Sequence, residues 1–203
     1  MSDARSVELP GDAELAYTGA WTGGLRGERA FRELDLTGVT DEILGEVGAM
    51  PWLKVLNVEG PFTDRGAAAL TGLGGLAELG LASDLMTDDA FRGLDRLTGL
   101  EVVRLKGAAA TGHGFGGLPE SVRVLCLRLP RLDLAALAGL RRLPLLGTLV
   151  FAGVEPGRDL AHAVAALGGP LTRVEFLGVN PPDPEILRPF AAAGIRVNAA
   201  EPV

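Results

Sequence analysis

Hydrophobic residues recur along this chain in a short pattern, in which one apolar position is followed by others three and five residues later. The last two apolar positions alternate with mostly polar ones, which is typical of a strand that buries one face. Consecutive copies of the pattern begin 22 to 25 residues apart. The seven copies begin at Phe31, Leu53, Leu76, Leu100, Val122, Leu146 and Leu171, and Ile195 begins a shortened eighth. The pattern predicts about seven short strands in equivalent positions of successive units.

Residues that start helices follow most of the predicted strands. Thr-Asp pairs occur in the first three units, where a side-chain oxygen can accept hydrogen bonds from the free N–H groups of a first helical turn. Later units have an aspartate in the corresponding place, and apolar residues with helical spacing come after it. We therefore expect helices after Thr40, Thr63, Thr87, Asp133, Asp159 and Asp183.

The fourth unit departs from this plan because a glycine-rich stretch, residues 111–119, replaces the helix. Its composition favours a loop. Gly112, Gly114 and Gly117 also have the spacing of a dinucleotide-binding turn, but that turn needs a helix directly after it to meet the pyrophosphate. The next unit begins at Val122 and leaves no room for such a helix. A shortened connection is the better interpretation.

The repeated Leu-x-x-Leu-x-Leu pattern and its period resemble those of leucine-rich repeat proteins. The Thr-Asp pairs resemble the subclass that places a full α-helix on the convex side. The resemblance implies an α/β fold, a right-handed solenoid shaped as a horseshoe or arc, with a parallel concave sheet, convex helices and about seven repeats. The resemblance covers residues 31–197. We expect residues 1–30 to form an N-terminal cap and residues 198–203 a C-terminal tail.

One feature of that family is weak in this sequence. Leucine-rich repeats usually have Asn, Cys or Thr three residues after the last strand leucine, where the side chain bonds the backbone of neighbouring turns. The corresponding residues here are Val39, Pro61, Asp84, Ala108, Pro130, Val154 and Val179. Only Asp84 can readily form such a bond. We therefore expect these side-chain bonds between neighbouring turns to be largely absent and the turns to be less stable.

Charge and cysteine content restrict the classes of binding partner and the cellular compartment that we expect for this chain. The chain has a formal net charge of −7, with −9 in residues 1–99 and +2 in residues 100–203. An acidic chain repels phosphate backbones, so nucleic acid is not an expected partner. The sequence shows no membrane span and no secretory signal, and Cys126 is its single cysteine. Together with a strong preference for arginine over lysine, these features predict a soluble, cytoplasmic, bacterial protein.

No motif in the sequence points to catalysis. A nucleophilic Cys126 would need a neighbouring base, but His113 and His162 are expected in the glycine-rich stretch and on a convex helix. The same residues lack metal-ligand spacing, and the common nucleotide, serine-hydrolase and zinc-protease motifs do not occur. We therefore expect no enzymatic activity, no cofactor and no metal site.

The outward-facing strand positions are the candidate binding surface. If the strands stack in register, three such positions per unit form three columns on the concave face. The columns run from acidic residues, through a basic centre of Arg104, Lys106 and Arg128, to a mostly apolar end. Contiguous exposed apolar area often marks an interaction site. The candidate residues are Glu33, Asp35, Asn57, Glu59, Glu78, Arg104, Lys106, Val124, Cys126, Arg128, Val150, Arg173 and Glu175.

These residues predict a non-enzymatic module that binds a protein partner through the concave face, since solenoids offer extended preformed surfaces. A simpler interpretation stays open, in which β-branched residues only suit the strands and Arg104 or Lys106 pair with neighbouring acids. The alternative function is a structural or self-assembly module that associates through its ends or convex helices. An enzyme with an unrecognised site is the third. The expected state is a monomer, with a homodimer left open.

Overall fold

The computed structural model describes residues 15–20 and 31–200, and nine strands in these ranges form one parallel sheet. Neighbouring strands in the sheet follow one another in the chain, so every unit adds its strand to the same edge. The strands are β1 (Leu15–Ala20), β2 (Phe31–Thr37), β3 (Val55–Glu59), β4 (Glu78–Ala82), β5 (Val102–Lys106), β6 (Val124–Arg128), β7 (Thr148–Ala152), β8 (Arg173–Leu177) and β9 (Arg196–Ala200). This is the parallel solenoid that the repeat pattern predicts.

Two strands lie outside the seven complete copies of the pattern. β1 belongs to the expected N-terminal cap and pairs in parallel with β2. β9 completes the shortened eighth unit and continues to Ala200, so residues 198–200 of the expected tail lie in the sheet. The rest of the expected cap, residues 1–14 and 21–30, and residues 201–203 lie outside the described part of the chain.

Four α-helices connect strands in the described ranges. They are α1 (Asp41–Val47), α2 (Asp64–Ala69), α3 (Arg158–Ala165) and α4 (Pro184–Ala192). The helices predicted after Thr40, Thr63 and Asp183 are confirmed, and in α4 the Asp183 side chain accepts the N–H of Glu185. α3 begins two residues earlier than predicted, so Asp159 lies in its first turn and does not cap it.

Two predicted helices are 3₁₀ helices and not α-helices. The segment after Thr87 is a 3₁₀ helix over Asp88–Phe91, and the segment after Asp133 is one over Leu134–Arg142. The first of them ends at Phe91, because Arg92 is extended, and Gly93, with φ of 85°, then begins the next turn. The second packs against the narrow glycine-rich connection of the preceding unit. Short 3₁₀ turns also occur at Leu70–Gly72 and Leu94–Arg96.

The glycine-rich stretch also differs from the prediction, because His113–Gly117 forms a short 3₁₀ helix and not an irregular loop. Gly112 precedes it with φ of 94°, in the left-handed region that favours glycine. A Cβ atom at Gly114 or Gly117 would collide with the backbone of the preceding unit. The glycines therefore let this connection lie directly on its neighbour, which is a packing role.

The inward strand residues form the core together with the apolar sides of the connections. Leu56 of β3 lies between Leu34 of β2 and Leu79 of β4 in the strand register, and all three are fully buried. Aromatic residues continue the stack towards β9, where the ring centroids of Phe151 and Phe176 lie 5.5 Å apart. The core is therefore a ribbon along the solenoid, and each unit is stabilised by its neighbours.

A series of aspartate–threonine contacts joins the starts of successive connections. In each step, one carboxylate accepts hydrogen bonds from both the backbone N–H and the hydroxyl group of a threonine in the next unit, at 2.5 to 3.1 Å. The three steps are Asp41 to Thr63, Asp64 to Thr87 and Asp88 to Thr111. We call them the Asp–Thr ladder.

The contact expected of Asp84 is made by its neighbour. Asp84 is exposed, whereas the buried Ser83 hydroxyl donates to the carbonyl of Phe62 (2.6 Å) and accepts the N–H of Leu85 (3.2 Å). Ser83 thus joins the turn after β4 to the turn after β3.

The Asp–Thr ladder joins successive units at the starts of the connections. The sequence predicts only separate helix caps at these positions.

Ionisation of the ladder carboxylates contributes to stability. Burial disfavours the charged forms of Asp41 and Asp88, but hydrogen bonds from the next unit outweigh burial and hold the pKa of both groups below its ordinary value. A pKa that is depressed in the folded state stabilises the fold above the pKa of the unfolded chain. That contribution is lost as the pH falls through the folded value.

We expect Asp88→Ala to lower the free energy of unfolding by about 1–3 kcal/mol near neutral pH, because Thr111 and Gly112 lose a charged acceptor. Asp89→Ala is the matched control, since the Asp89 side chain forms an exposed ion pair with Arg92 and takes no part in the Asp–Thr ladder. Urea melts at neutral pH and at about pH 3 measure both variants. The difference between wild type and Asp88→Ala should shrink in acid. Equal losses for the two variants would contradict a stabilising ladder.

The strand parity is tested by comparing inward and outward residues. Leu79→Ala or Leu125→Ala should lower the free energy of unfolding by about 2–5 kcal/mol, because each change empties a fully buried position. Arg104→Ala should cost much less, since its ion pair with Glu78 lies at the surface. Urea denaturation of the three variants gives the comparison, and a larger loss for Arg104→Ala would overturn the assigned parity.

Candidate functional site

The outward strand residues form one continuous surface, which we call the open face, and the other side of the sheet carries the core. Strand pairing aligns the first column as Glu33, Val55, Glu78, Val102, Val124, Thr148 and Arg173. It aligns the central column as Asp35, Asn57, Gly80, Arg104, Cys126, Val150 and Glu175. The other predicted site residues, Glu59, Lys106 and Arg128, lie in the third column.

A depression of about 260 Å³ lies in the middle of the open face. Gly80 and Ala82 of β4 form part of its lining. The Asn57 side chain lies over Gly80, with its Oδ1 atom where a Cβ atom would be, and Ala82 carries only a methyl group. Predicted site residues surround them, namely Asp35, Asn57, Glu59, Arg104, Lys106, Cys126 and Arg128. With Ala152, the depression joins residues from β2 to β7.

Other predicted residues lie on the same face but outside the depression. Glu33, Glu78 and Val124 occupy the first column, and Val150, Arg173 and Glu175 belong to β7 and β8. Conversely, Gly80, Ala82 and Ala152 line the depression and were not predicted as site residues. For the two alanines the available signal was an outward position combined with a short side chain, whereas Gly80 is covered by the Asn57 side chain.

Two ion pairs cross the middle of the open face. The Arg104 Nη1 atom lies 3.0 Å from Glu78 Oε2, and the Lys106 Nζ atom lies 2.6 Å from Glu59 Oε1. The second pair spans β4, because Glu59 and Lys106 flank Ala82 in the third column. The hydrogen bond from Lys106 holds the pKa of the Glu59 carboxyl below its usual value.

These pairs change the expected charge distribution. Arg104 and Lys106 are neutralised by neighbouring acids, so the predicted basic centre is reduced mainly to Arg128, which is exposed. No ion pair within the described residues joins Arg128 to an acid, or joins Glu33 or Asp35 of β2 to a base. The unpaired charges of this region therefore lie at its two sides, negative at β2 and positive at β6.

The apolar part of the open face is smaller than its sequence suggests. Val102 and Val124 are half-buried, and Val150 is only 7% exposed. Leu177 in β8 is 38% exposed and therefore adds more apolar surface to the open face than Val150 does. Beside it, Arg173 and Glu175 form an ion pair of 2.6 Å within one strand. A continuous exposed valine strip is therefore not present.

Cys126 lines the depression but lacks the surroundings of a nucleophile. Burial raises the pKa of its thiol, which outweighs the opposing effect of nearby Arg104. Within the described residues, His113 is bound elsewhere, with its Nε2 atom 2.8 Å from Asp133 Oδ2, and His162 is exposed on α3. Neither histidine lines the depression. The geometry suits a binding surface and provides no thiolate–imidazole pair there.

The described ranges contain no group of three or more His, Cys, Asp or Glu residues arranged to hold a metal ion. None of the described helices combines the length and the apolarity required to cross a bilayer. Gly112, Gly114 and Gly117 serve the packing of a 3₁₀ turn, as shown above.

Comparison with solved structures bears on the fold. Internalin C2 from Listeria monocytogenes is 21% identical and superposes with a TM-score of 0.61 over 91% of this chain and 80% of its own. The chain has the leucine-rich repeat fold. Internalin F from the same organism and the leucine-rich repeat ectodomain of the Arabidopsis receptor kinase HAESA, solved with a peptide hormone ligand, are 14% and 15% identical.

These last two structures are more distant, with TM-scores of 0.49 and 0.42. The chain covers 57% and 40% of their lengths, while 89% and 93% of the chain is aligned. No protein-family model matches the sequence, and no curated protein matches it. The comparisons therefore establish the leucine-rich repeat fold. The role of the open face is argued from its own residues.

The raised pKa of Cys126 predicts slow alkylation. At about pH 8, iodoacetamide should react with the folded protein more slowly than with glutathione, because less thiolate is present and the sulfur is half-buried. Reaction in urea should reach the rate of a free thiol. Mass spectrometry measures the modified fraction, which reports this site alone because Cys126 is the single cysteine. Faster reaction in the folded state would reveal an activated thiol.

Proposed function

We propose that this leucine-rich repeat chain is a non-enzymatic interaction module that binds a protein partner through the open face. The observation that carries the proposal is the depression lined by residues from β2 to β7, with exposed charges at β2 and β6 that form no ion pair with any described residue. Charged residues at the rim of an interface steer association, while a central hollow accepts an anchoring side chain. The proposal includes a concave shape for this face.

Rigidity of the scaffold supports the proposal. The open face is carried by strands whose inward residues are fully buried, including Leu79, Val103 and Leu125 beneath the depression. The Asp–Thr ladder fixes the connections of the same units. A surface that is ordered before binding loses little conformational entropy on association. Such a face suits recognition of a partner by fixed positions of charge and shape.

Compartment and partner class are also part of the proposal. The net charge of −7 disfavours nucleic acid as a partner. A single cysteine suits a reducing compartment, and we place the protein in the cytoplasm of a bacterium. Because Cys126 has a raised pKa and the histidines lie elsewhere, the proposal assigns no catalytic step to the open face.

Self-assembly through the end of the solenoid is the second candidate function. Val197 and Ala199 of β9 are half-buried, whereas their neighbours in register, Val174 and Phe176, are fully buried. Association at this end would bury the remaining apolar area. Sedimentation at several protein concentrations separates the two candidates, because a concentration-dependent dimer favours assembly and a monomer favours binding of a different protein.

Paired charge reversals test the open face. Once a partner is isolated, the Arg104→Glu/Arg128→Glu variant should weaken its affinity at least 100-fold, about 2.7 kcal/mol. The Arg128 change makes an attractive charge repulsive, and the Arg104 change releases Glu78 from its ion pair and adds a further negative charge beside it. Arg92→Glu/Arg96→Glu is the matched control, since it changes the net charge equally at exposed positions in the connections. Calorimetry measures both variants after circular dichroism confirms folding. Full affinity in the first variant, with loss in the control, would move the site to the connections.

A further inference from the structure

The charges that remain unpaired on the open face define its polarity. Arg104 and Lys106 bind Glu78 and Glu59, so the middle of the face has little net charge. Glu33 and Asp35 are exposed in β2, and Arg128 is exposed in β6. We call these groups the acidic pole and the basic pole. An occupant that lies across both would need a cation at one end and an anion at the other.

The distance between the poles sets the size of the occupant. Asp35 and Arg128 lie four strands apart, which corresponds to about 19 Å at the usual spacing of strands in a sheet. An extended peptide advances about 3.3 Å per residue, so about six residues separate side chains that reach the two poles. The chain of the peptide would run across the strands.

The width of the face also suits a single extended chain. The three outward columns of each strand cover four residue steps, about 13 Å. Between the poles lies the depression of about 260 Å³, which is lined in part by Ala82 and has room for one side chain of moderate size. The Asn57 side-chain amide at its edge can donate to a peptide carbonyl and accept from a peptide N–H.

We propose that the open face binds an extended peptide segment that carries Lys or Arg about six residues from Asp or Glu, with the basic residue at β2 and the acidic residue at β6. The inference rests on the proposed function and specifies its partner. Charge complementarity selects this occupant over one of uniform charge, because either pole repels a like charge. The neutral middle favours small or polar residues between the two charged ones.

Selection from a display library of random ten-residue peptides tests the proposal. Wild-type protein should enrich peptides in which a basic and an acidic residue are separated by about five others. Arg128→Glu should enrich peptides that are basic at both ends, and the Glu33→Lys/Asp35→Lys variant, which reverses the whole acidic pole, should enrich peptides that are acidic at both ends. Arg96→Glu, which has the same charge change as Arg128→Glu outside the open face, should select the wild-type pattern.

Synthetic peptides then give the magnitude. For a wild-type-selected peptide, fluorescence polarisation should show at least a tenfold loss of affinity with Arg128→Glu, and replacing the acidic residue of the peptide with Lys should restore it. Circular dichroism establishes that each variant is folded. The same enriched sequences for wild type and Arg128→Glu, or no enrichment with wild type, would overturn the peptide proposal.

The outcome is separable from that of the broader function. If no peptide is enriched, while an isolated folded partner loses affinity for Arg104→Glu/Arg128→Glu, the open face binds folded proteins and the peptide proposal fails alone. If a partner binds equally to that variant and to wild type, and no peptide is enriched, both proposals fail. Competition between a selected peptide and the partner supports both.

Discussion

Registered stacking of inward aliphatic side chains is the constraint on which the rest of this structure depends. Leu34, Leu56 and Leu79 meet in successive strands, and their alternation with outward residues fixes which face each side chain occupies. A slip of one residue in any strand would place charged groups such as Asp35 or Arg104 in the core. Because burying an unpaired charge is very costly, the leucine register and the composition of the open face enforce each other.

The second constraint acts at the starts of the connections. The Asp–Thr ladder depends on the strand register, because a carboxylate of one unit meets a threonine of the next only if both units have equivalent backbones. At its C-terminal end Thr111 is followed by the glycine-rich turn, which lies directly on the preceding unit. His113 and Asp133 then make a different contact, so the regular ladder covers only the first part of the solenoid.

Features that depend on a periodic sequence pattern could be predicted from the sequence, and features that depend on packing between units could not. Strand positions, parity and the columns of the open face could be predicted because each depends on a periodic pattern in the sequence. The 3₁₀ helices after Thr87 and Asp133 could not, since they depend on how connections pack across units. The ladder was missed for the same reason. Its residues were recognised as local caps, while their main contacts are 22 or 23 residues away.

The same distinction explains the candidate site. Sequence places Arg104, Lys106 and Arg128 in one region, but only the conformations of long side chains decide that two of them bind acids. Those pairs affect recognition as well as charge. When a partner covers the middle of the face, it removes water from ion pairs that are already satisfied, and any additional charge placed there would be buried without a partner. Under the proposed function, the centre would therefore disfavour charged groups by desolvation, while Arg128 and the carboxylates of β2 would attract groups of opposite charge. Neighbouring parts of one sheet would then select for opposite properties of a bound chain.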